Sequence, residues 1–164
     1  MKIQFSSTAE AKFQKILSGY PRKDAALLPT LWLAQDEFEF LSEEVRDYVA
    51  ERLDLSRARV DSVTSSYTMY TTKKLGKYHL QVCRGISCYL KNCKDVMSGI
   101  EKELNIKPGE TTKDGLFTYS HVECLGNCGN APTLQVNVNK YDENLTGESV
   151  IRLIGDLRSG KNSK

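Results

Sequence analysis

All five cysteines of this 164-residue chain lie in its second half, and four of them form two closely spaced pairs. Four residues separate Cys83 from Cys88, and three separate Cys124 from Cys128. Thiolates are strong ligands for zinc and for iron–sulfur clusters, so two such pairs can form one four-thiolate site. The second half of the chain must then fold so that two loops distant in sequence come together.

The spacing of these pairs leaves the chemistry of the site open. It does not match the ligand runs of plant-type or bacterial ferredoxins, and zinc sites more often use two-residue spacers. An iron–sulfur cluster, a structural zinc ion and free or redox-active thiols are all compatible with it. A Rieske centre would need two histidine ligands, whereas we expect His79 and His121 to be ordinary strand residues.

Two local features are expected to stabilise thiolates at this site. A helix that begins near Cys88 would direct its free backbone N–H groups and the positive end of its dipole toward the loop. Gly126 and Gly129 would allow backbone N–H groups to approach sulfur closely. Both features favour an anionic centre.

The cysteine count and the overall charge restrict the compartment and the partners. Without an export signal, an odd number of cysteines argues against a complete disulfide framework and favours a reducing compartment. The most apolar stretch, residues 25–34, is interrupted by Pro29 and Thr30, so we expect no membrane span. The formal net charge of +2 is too small for a dense phosphate-binding surface, which makes nucleic acid a poor candidate partner.

The first part of the chain has the periodicity of helices. The first short helix is predicted by the capping box of Ser7 and Glu10, and the second begins near Leu27, with Pro29 in its first turn. A third helix is predicted after the cap Ser42, and a fourth from Ser56 to about Ser65. Tyr67 to Thr72 is rich in residues that prefer extended backbone. Trp32, Phe38 and Phe40 could pack internally or dock a partner, and the helical stripe favours internal packing for Trp32.

A polar break at residues 73–77 separates this helical part from one with the periodicity of strands. We therefore expect a helical domain over residues 1–76 and a second domain over residues 77–164. The second domain is predicted to contain strands at 78–82, 116–122 and 133–138, one long helix over 88–104, a turn at 142–144 and a last helix over 150–157. This order predicts an α/β (α+β) fold with a small sheet and helices packed on it.

Several runs of residues carry a more specific indication. They are Tyr20-Pro21, Ala26-Leu27-Leu28-Pro29, Leu33-Ala34-Gln35, Tyr67-Thr68-Met69-Tyr70, Val82-Cys83 with Cys88, Cys124-Leu125-Gly126-Asn127-Cys128 and Ala131-Pro132. Through them, most of the chain resembles the E-subunit family of NADH:quinone oxidoreductase, the thioredoxin-like [2Fe–2S] ferredoxin component of respiratory complex I. Related proteins serve NAD-linked hydrogenases and formate dehydrogenases.

The resemblance implies a fold, a cofactor and a partner. It implies an N-terminal helical domain and a thioredoxin-like domain with a small mixed sheet, which binds one [2Fe–2S] cluster through Cys83, Cys88, Cys124 and Cys128. It also implies that FMN and NADH bind to a partner flavoprotein of the same complex. The chain fits that division, because it has no G-x-G-x-x-G after a strand and no Walker A sequence. Such a protein is expected to be cytoplasmic, peripheral on the inner face of the membrane, or on the matrix side in mitochondria.

The resemblance also gives the surroundings of the cluster as expectations. Apolar walls are expected from Val82, Ile86 and Leu125. Three basic residues near the first cysteine pair, Arg84, Lys91 and Lys94, are expected to be solvated surface charges, with screening of the reduced cluster or contact with an acidic partner as the alternatives.

Two residues depart from the family pattern, and two other function classes stay open. Ser66 stands where the family usually has an aromatic residue, so the helical domain is expected to pack differently there. Cys93 has no ligand role in the pattern and is expected to be a buried core thiol, with a spare ligand or redox sensor as the alternative.

The rival functions are a zinc-binding interaction module and a thiol–disulfide enzyme. The enzyme would need a Cys-x-x-Cys pair, which is absent from the sequence.

Overall fold

The computed structural model describes residues 3–138 and 140–160 of the chain. The chain divides into two compact units, Met1–Lys74 and Leu75–Lys164. Each unit has its own hydrophobic core, formed by helices in the first unit and by a sheet with helices in the second.

From residue 3 onward, the first unit contains four α-helices and one short 3₁₀ helix. They are α1 (Ser7–Ser18), the 3₁₀ helix Lys23–Ala26, α2 (Leu27–Phe38), α3 (Glu43–Leu53) and α4 (Arg57–Ser66). The hydroxyl groups of Ser42 and Ser56 cap α3 and α4, as the sequence predicts. The cap of α1 is Ser6 rather than Ser7, because the Ser6 hydroxyl accepts the hydrogen bond from the N–H of Ala9.

The segment after α4 is held by side chains and not by a sheet. No strand occurs within residues 67–72, contrary to the preference of these residues for extended backbone. Tyr70 is buried and donates a hydrogen bond of 2.9 Å to the carbonyl oxygen of Leu28. Trp32 packs against the Tyr70 ring with a centroid distance of 5.8 Å, which confirms internal packing. Ser66 is the exposed last residue of α4.

The second unit contains a four-stranded mixed sheet in the order β2-β1-β3-β4. Its strands are β1 (Tyr78–Cys83), β2 (Phe117–Val122), β3 (Leu134–Val136) and β4 (Lys140–Asp142). Its α-helices are α5 (Ile86–Leu90), α6 (Cys93–Leu104) and α7 (Gly147–Arg158), and a 3₁₀ helix spans Cys128–Asn130. β1 and β2 are parallel, and the other neighbouring strands are antiparallel. Apolar residues of α6 and α7 pack on the sheet, which confirms the predicted fold class.

Two predictions about this unit are wrong in detail. The predicted helix over residues 88–104 is divided into α5 and α6 at Asn92, whose backbone is left-handed with φ of 62°. Asparagine adopts this conformation more readily than most residues, so it can end one helix and begin another. The predicted strand 133–138 ends earlier, since Asn137 has φ of 55° and turns the chain into β4, which the sequence analysis missed.

Candidate metal centre

The parallel pairing of β1 and β2 places the two cysteine loops at the same edge of the sheet. Cys83, the last residue of β1, lies opposite Val122, the last residue of β2. The two loops are in close contact, since a Cβ added at Gly85 would lie 3.2 Å from the carbonyl oxygen of Glu123. The Arg84 side chain also pairs with the Glu123 carboxylate across the loops. The fold therefore brings the first cysteine loop beside the start of the second.

Cys83 and Cys88 are both buried and lie in the same apolar cluster. Only 4% of Cys83 and 2% of Cys88 is exposed. The backbone of Thr133 contacts Cys83, since the Thr133 carbonyl oxygen accepts a hydrogen bond of 3.1 Å from the N–H of Cys83. Burial raises the pKa of Cys88 to about 11, and a backbone hydrogen bond from Thr133 partly opposes this increase. Without a metal the Cys88 thiol stays protonated at neutral pH, and metal binding would release its proton.

Cys124 and Cys128 are exposed on the second loop. Gly126 has φ of +74°, and its N–H donates a hydrogen bond of 3.3 Å to Cys124 Sγ, as predicted for a backbone that approaches sulfur closely. Nothing in the described part of the chain lies within 4 Å of a Cβ added at Gly129, so close packing does not require glycine there.

The predicted role of a helix end at Cys88 is wrong. α5 begins at Ile86 and has only five residues, so Cys88 lies inside this short helix and not at the start of a long one. Ile86 does not form an apolar wall either, since 79% of it is exposed. Leu125 does pack against the buried thiols, whereas Val82 is buried in the core of the sheet.

Cys93 lies in the same buried cluster as Cys83 and Cys88. It is the first residue of α6, and only 1% of it is exposed, in agreement with the predicted buried thiol. The pKa of Cys93 is raised, mainly by burial, so the free thiolate is unfavourable. Its proximity to two candidate ligands could not be predicted, because it results from the turn at Asn92.

The two histidines lie in strands, as predicted. His79 Nε2 is 2.7 Å from the hydroxyl oxygen of Ser120, and His121 Nε2 is 2.7 Å from the hydroxyl oxygen of Tyr119. Each ring therefore has a hydroxyl partner on β2.

The donor set suits an iron–sulfur cluster, because its four thiols form two pairs on adjacent loops. Structural zinc also takes four thiolates, held around one point at about 2.3 Å for each sulfur. A [2Fe–2S] cluster distributes four thiolates over two irons, so two separate thiol pairs on adjacent loops suit its chemistry.

Sequence reasoning missed two residues at this site. Gly85 permits the close approach of the two loops, and Thr133 contributes its backbone to both buried cysteines. The position of Gly85 between the first two cysteines was the available signal for it. No signal pointed to Thr133, because any residue except proline carries the same N–H group.

The chain is similar to known proteins over most of its length. The family model for the thioredoxin-like [2Fe-2S] ferredoxin matches residues 13–158. The NADH-quinone oxidoreductase E-subunit of Rickettsia conorii is 40% identical over 149 residues, which cover 89% of this chain and 89% of the relative. A corresponding NADH-quinone oxidoreductase E-subunit from Rhizobium meliloti is 35% identical over 154 residues, which cover 94% of this chain and 91% of the relative.

A solved structure has a similar fold. An NAD⁺-reducing [NiFe]-hydrogenase in the air-oxidized state matches 82% of this chain with a TM-score of 0.71 and 17% identity, and the match covers 23% of the hydrogenase chain. At this identity the likeness concerns the fold alone. Across the described residues, no helix has the length and apolar character needed to span a membrane.

Proposed function

This chain belongs to the thioredoxin-like [2Fe-2S] ferredoxin family, and on that premise we propose that it is the electron-transfer subunit of an NADH:quinone oxidoreductase. Cys83, Cys88, Cys124 and Cys128 hold its one [2Fe–2S] cluster. The observation that carries this proposal is the likeness to the NADH-quinone oxidoreductase relative from Rickettsia conorii over 89% of the chain. The contact between the two cysteine loops through Gly85 supports it.

The residues around the thiols adjust how readily an electron is accepted. A [2Fe–2S] cluster supplies one-electron chemistry. Burial of Cys83 and Cys88 disfavours additional negative charge, because the surroundings are less polar than water. The N–H of Gly126 and the backbone hydrogen bond from Thr133 favour negative charge on the sulfurs. These opposing contributions set the reduction potential.

NADH oxidation itself belongs to a partner. Hydride transfer needs a two-electron acceptor, and the chain has no dinucleotide-binding motif. FMN and NADH therefore bind to a flavoprotein of the same complex. In this proposal residues 77–164 form the domain that exchanges electrons, and residues 1–76 form a helical domain that helps to hold the partner. The complex lies peripherally at the inner face of the membrane, on the matrix side in mitochondria.

The test measures whether NADH reduces the cluster of this chain only through the flavoprotein. The purified chain, the flavoprotein and the co-expressed pair are each mixed anaerobically with NADH, and bleaching of the visible absorption is followed, with flavin content measured in each sample. We expect the cluster of this chain to be reduced only in the pair, whereas the flavoprotein alone loses only its flavin absorption. Reduction by NADH in the flavin-free chain alone would contradict the proposal.

The proteins that co-purify identify the complex. Recovery of quinone-reducing components supports an NADH:quinone oxidoreductase, whereas recovery of a hydrogenase or formate dehydrogenase would place the same role in that complex. A colourless zinc protein would instead favour an interaction module.

A further inference from the structure

The second cysteine pair lies on a loop in which burial does not hold the thiols in place. This loop leaves the sheet after Val122, at the end of β2, and returns to it at Leu134, where β3 begins. Cys124 and Cys128 are exposed on it, in contrast to the buried first pair. Hydrogen bonds within and around the loop therefore become important for the position of these two thiols.

Asn127, which directly precedes Cys128, takes part in several of these hydrogen bonds. Its carbonyl oxygen accepts one of 3.2 Å from the N–H of Asn130 and one of 3.3 Å from the hydroxyl group of Thr133, a residue that is 1% exposed. Its side-chain oxygen Oδ1 accepts a further bond of 2.9 Å from Asn130 Nδ2. These bonds close the turn that carries Cys128 and tie it to a buried residue.

The amide nitrogen of the Asn127 side chain reaches another part of the fold. Asn127 Nδ2 donates a hydrogen bond of 2.6 Å to Glu143 Oε1. Glu143 directly follows β4, which is paired with β3, and the N–H of the next residue, Asn144, donates a bond of 2.9 Å to the carbonyl oxygen of Asn130. The backbone on either side of Glu143 is therefore fixed, so its carboxylate is an anchored acceptor for the cysteine loop.

We propose that Asn127 and Glu143 are positioning residues for the [2Fe–2S] cluster. Neither side chain is a ligand. Their hydrogen bond connects the loop to the edge of the sheet and keeps Cys128 where its thiolate can bind iron, and the charge of the acceptor strengthens the bond. Without it, the loop more often adopts conformations in which a thiolate has left the iron. The inference rests on the proposed function, because it takes Cys124 and Cys128 as ligands.

The test alters this hydrogen bond in the full chain loaded with its cluster. Asn127→Asp replaces the donor by a second carboxylate, so that attraction to Glu143 becomes repulsion. Glu143→Gln, added to that variant, supplies an amide that can donate to the new carboxylate. This exchanged pair restores the hydrogen bond with donor and acceptor reversed, and it keeps the single negative charge of wild type. Glu143→Ala removes the acceptor alone.

The rate at which the visible absorption disappears in excess iron chelator measures how firmly the cluster is held. Far-ultraviolet circular dichroism shows whether each variant is folded, and the EPR spectrum of the reduced cluster reports the surroundings of the irons. Glu148→Ala is the control, because Glu148 is an exposed carboxylate on α7 outside this network. If Asn127→Asp is purified without a cluster, iron per chain in each variant gives the same comparison.

We expect Asn127→Asp to lose the cluster roughly tenfold faster than wild type, and Glu143→Ala roughly threefold faster. The exchanged pair should return to within about twofold of the wild-type rate and to the wild-type EPR spectrum, and the control should match wild type. A general loss of stability would not be reversed by exchanging donor and acceptor.

Two results would overturn the inference while the proposed function stands. One is a wild-type rate of cluster loss in both Asn127→Asp and Glu143→Ala, and the other is an exchanged pair that loses the cluster as fast as Asn127→Asp. A wild-type chain that binds no [2Fe–2S] cluster would instead overturn the proposed function, and the inference with it.

Discussion

The carboxylate of Asp95 accepts a hydrogen bond of 2.6 Å from the backbone N–H of Gly147, so a side chain of α6 caps the beginning of α7. The two helices also pack closely at Gly99, where an added Cβ would lie 3.0 Å from the carbonyl oxygen of Gly147. α6 begins at Cys93, beside the buried candidate ligands. The contact between α6 and α7 therefore helps to fix one wall of the candidate metal centre.

Asp95→Ala should lower the free energy of unfolding by about 1–2 kcal/mol. It removes a hydrogen bond to a charged acceptor and a negative charge at a helix N-terminus, and both stabilise α7. Asp95→Asn keeps an acceptor without the charge, so it should cost less. Chemical denaturation of the wild type and both variants measures this order, and an Asp95→Ala variant as stable as wild type would show that the contact contributes nothing.

Gly99→Ala should destabilise the chain by about 1–3 kcal/mol, although alanine is the better helix former. The added methyl group would lie 3.0 Å from both the Gly147 carbonyl oxygen and Val150 Cγ1, so α6 and α7 would have to separate. Gly155→Ala on α7 is the matched control, because nothing described lies within 4 Å of its Cβ position. The free energy of unfolding of Gly155→Ala should be up to about 1 kcal/mol larger than that of wild type. Thermal denaturation of both variants measures these changes in stability. If both variants were stabilised, or both destabilised, the packing argument would be contradicted.

Stability should decrease on acidification because of His79. Burial lowers the pKa of His79 from 6.5 to about 4. Above pH 6.5 the ring is neutral in both states, and the full stability is present. Between pH 6.5 and about 4 the unfolded state binds the proton and the folded state does not, so stability falls by on the order of 3 kcal/mol.

His79→Gln tests this pH dependence. Glutamine offers the Ser120 hydroxyl group a polar partner but does not titrate, so the free energy of unfolding should vary less with pH over this range. The measurement is denaturation in urea at several pH values. Equal slopes for wild type and His79→Gln would rule out this contribution.

Long elements of the fold could be predicted from the sequence, and short ones could not. The apolar periodicity of α2 to α4 and the serine caps of α3 and α4 predict those helices, and β1 and β2 are runs of residues that favour strands. Periodicity needs more residues than α5 or β4 contain, so neither could be recognised. The left-handed backbone of Asn92 separates α5 from α6, and that of Asn137 separates β3 from β4. The conformation of both asparagines depends on the packing around them.

Some features of the candidate site could likewise be predicted from the sequence, and others could not. The chemistry of a thiol depends on residue type alone, so Cys83, Cys88, Cys124 and Cys128 could be proposed as candidate ligands from the sequence. The burial of Cys83 and Cys88 could not be predicted, because it depends on the parallel pairing that places Cys83 opposite Val122. The outward orientation of Ile86 likewise depends on where α5 begins.

Each single substitution of Cys83, Cys88, Cys124 or Cys128 by alanine should abolish or greatly weaken the visible absorption, because an iron then lacks part of its thiolate shell. Cys93→Ala is the matched control, since it removes a thiol from the same buried cluster. It should keep the cluster and cost on the order of 1 kcal/mol of stability through lost core volume. Equal loss of absorption in Cys93→Ala and Cys83→Ala would contradict the ligand assignment.

The composition of the metal centre tests the central claim most directly. Iron, zinc and acid-labile sulfide are measured per chain in anaerobically purified wild-type protein. Membership in the [2Fe-2S] family and the four proposed cysteine ligands predict two irons and two sulfides per chain, without zinc. Four irons per chain, or zinc without sulfide, would contradict the account.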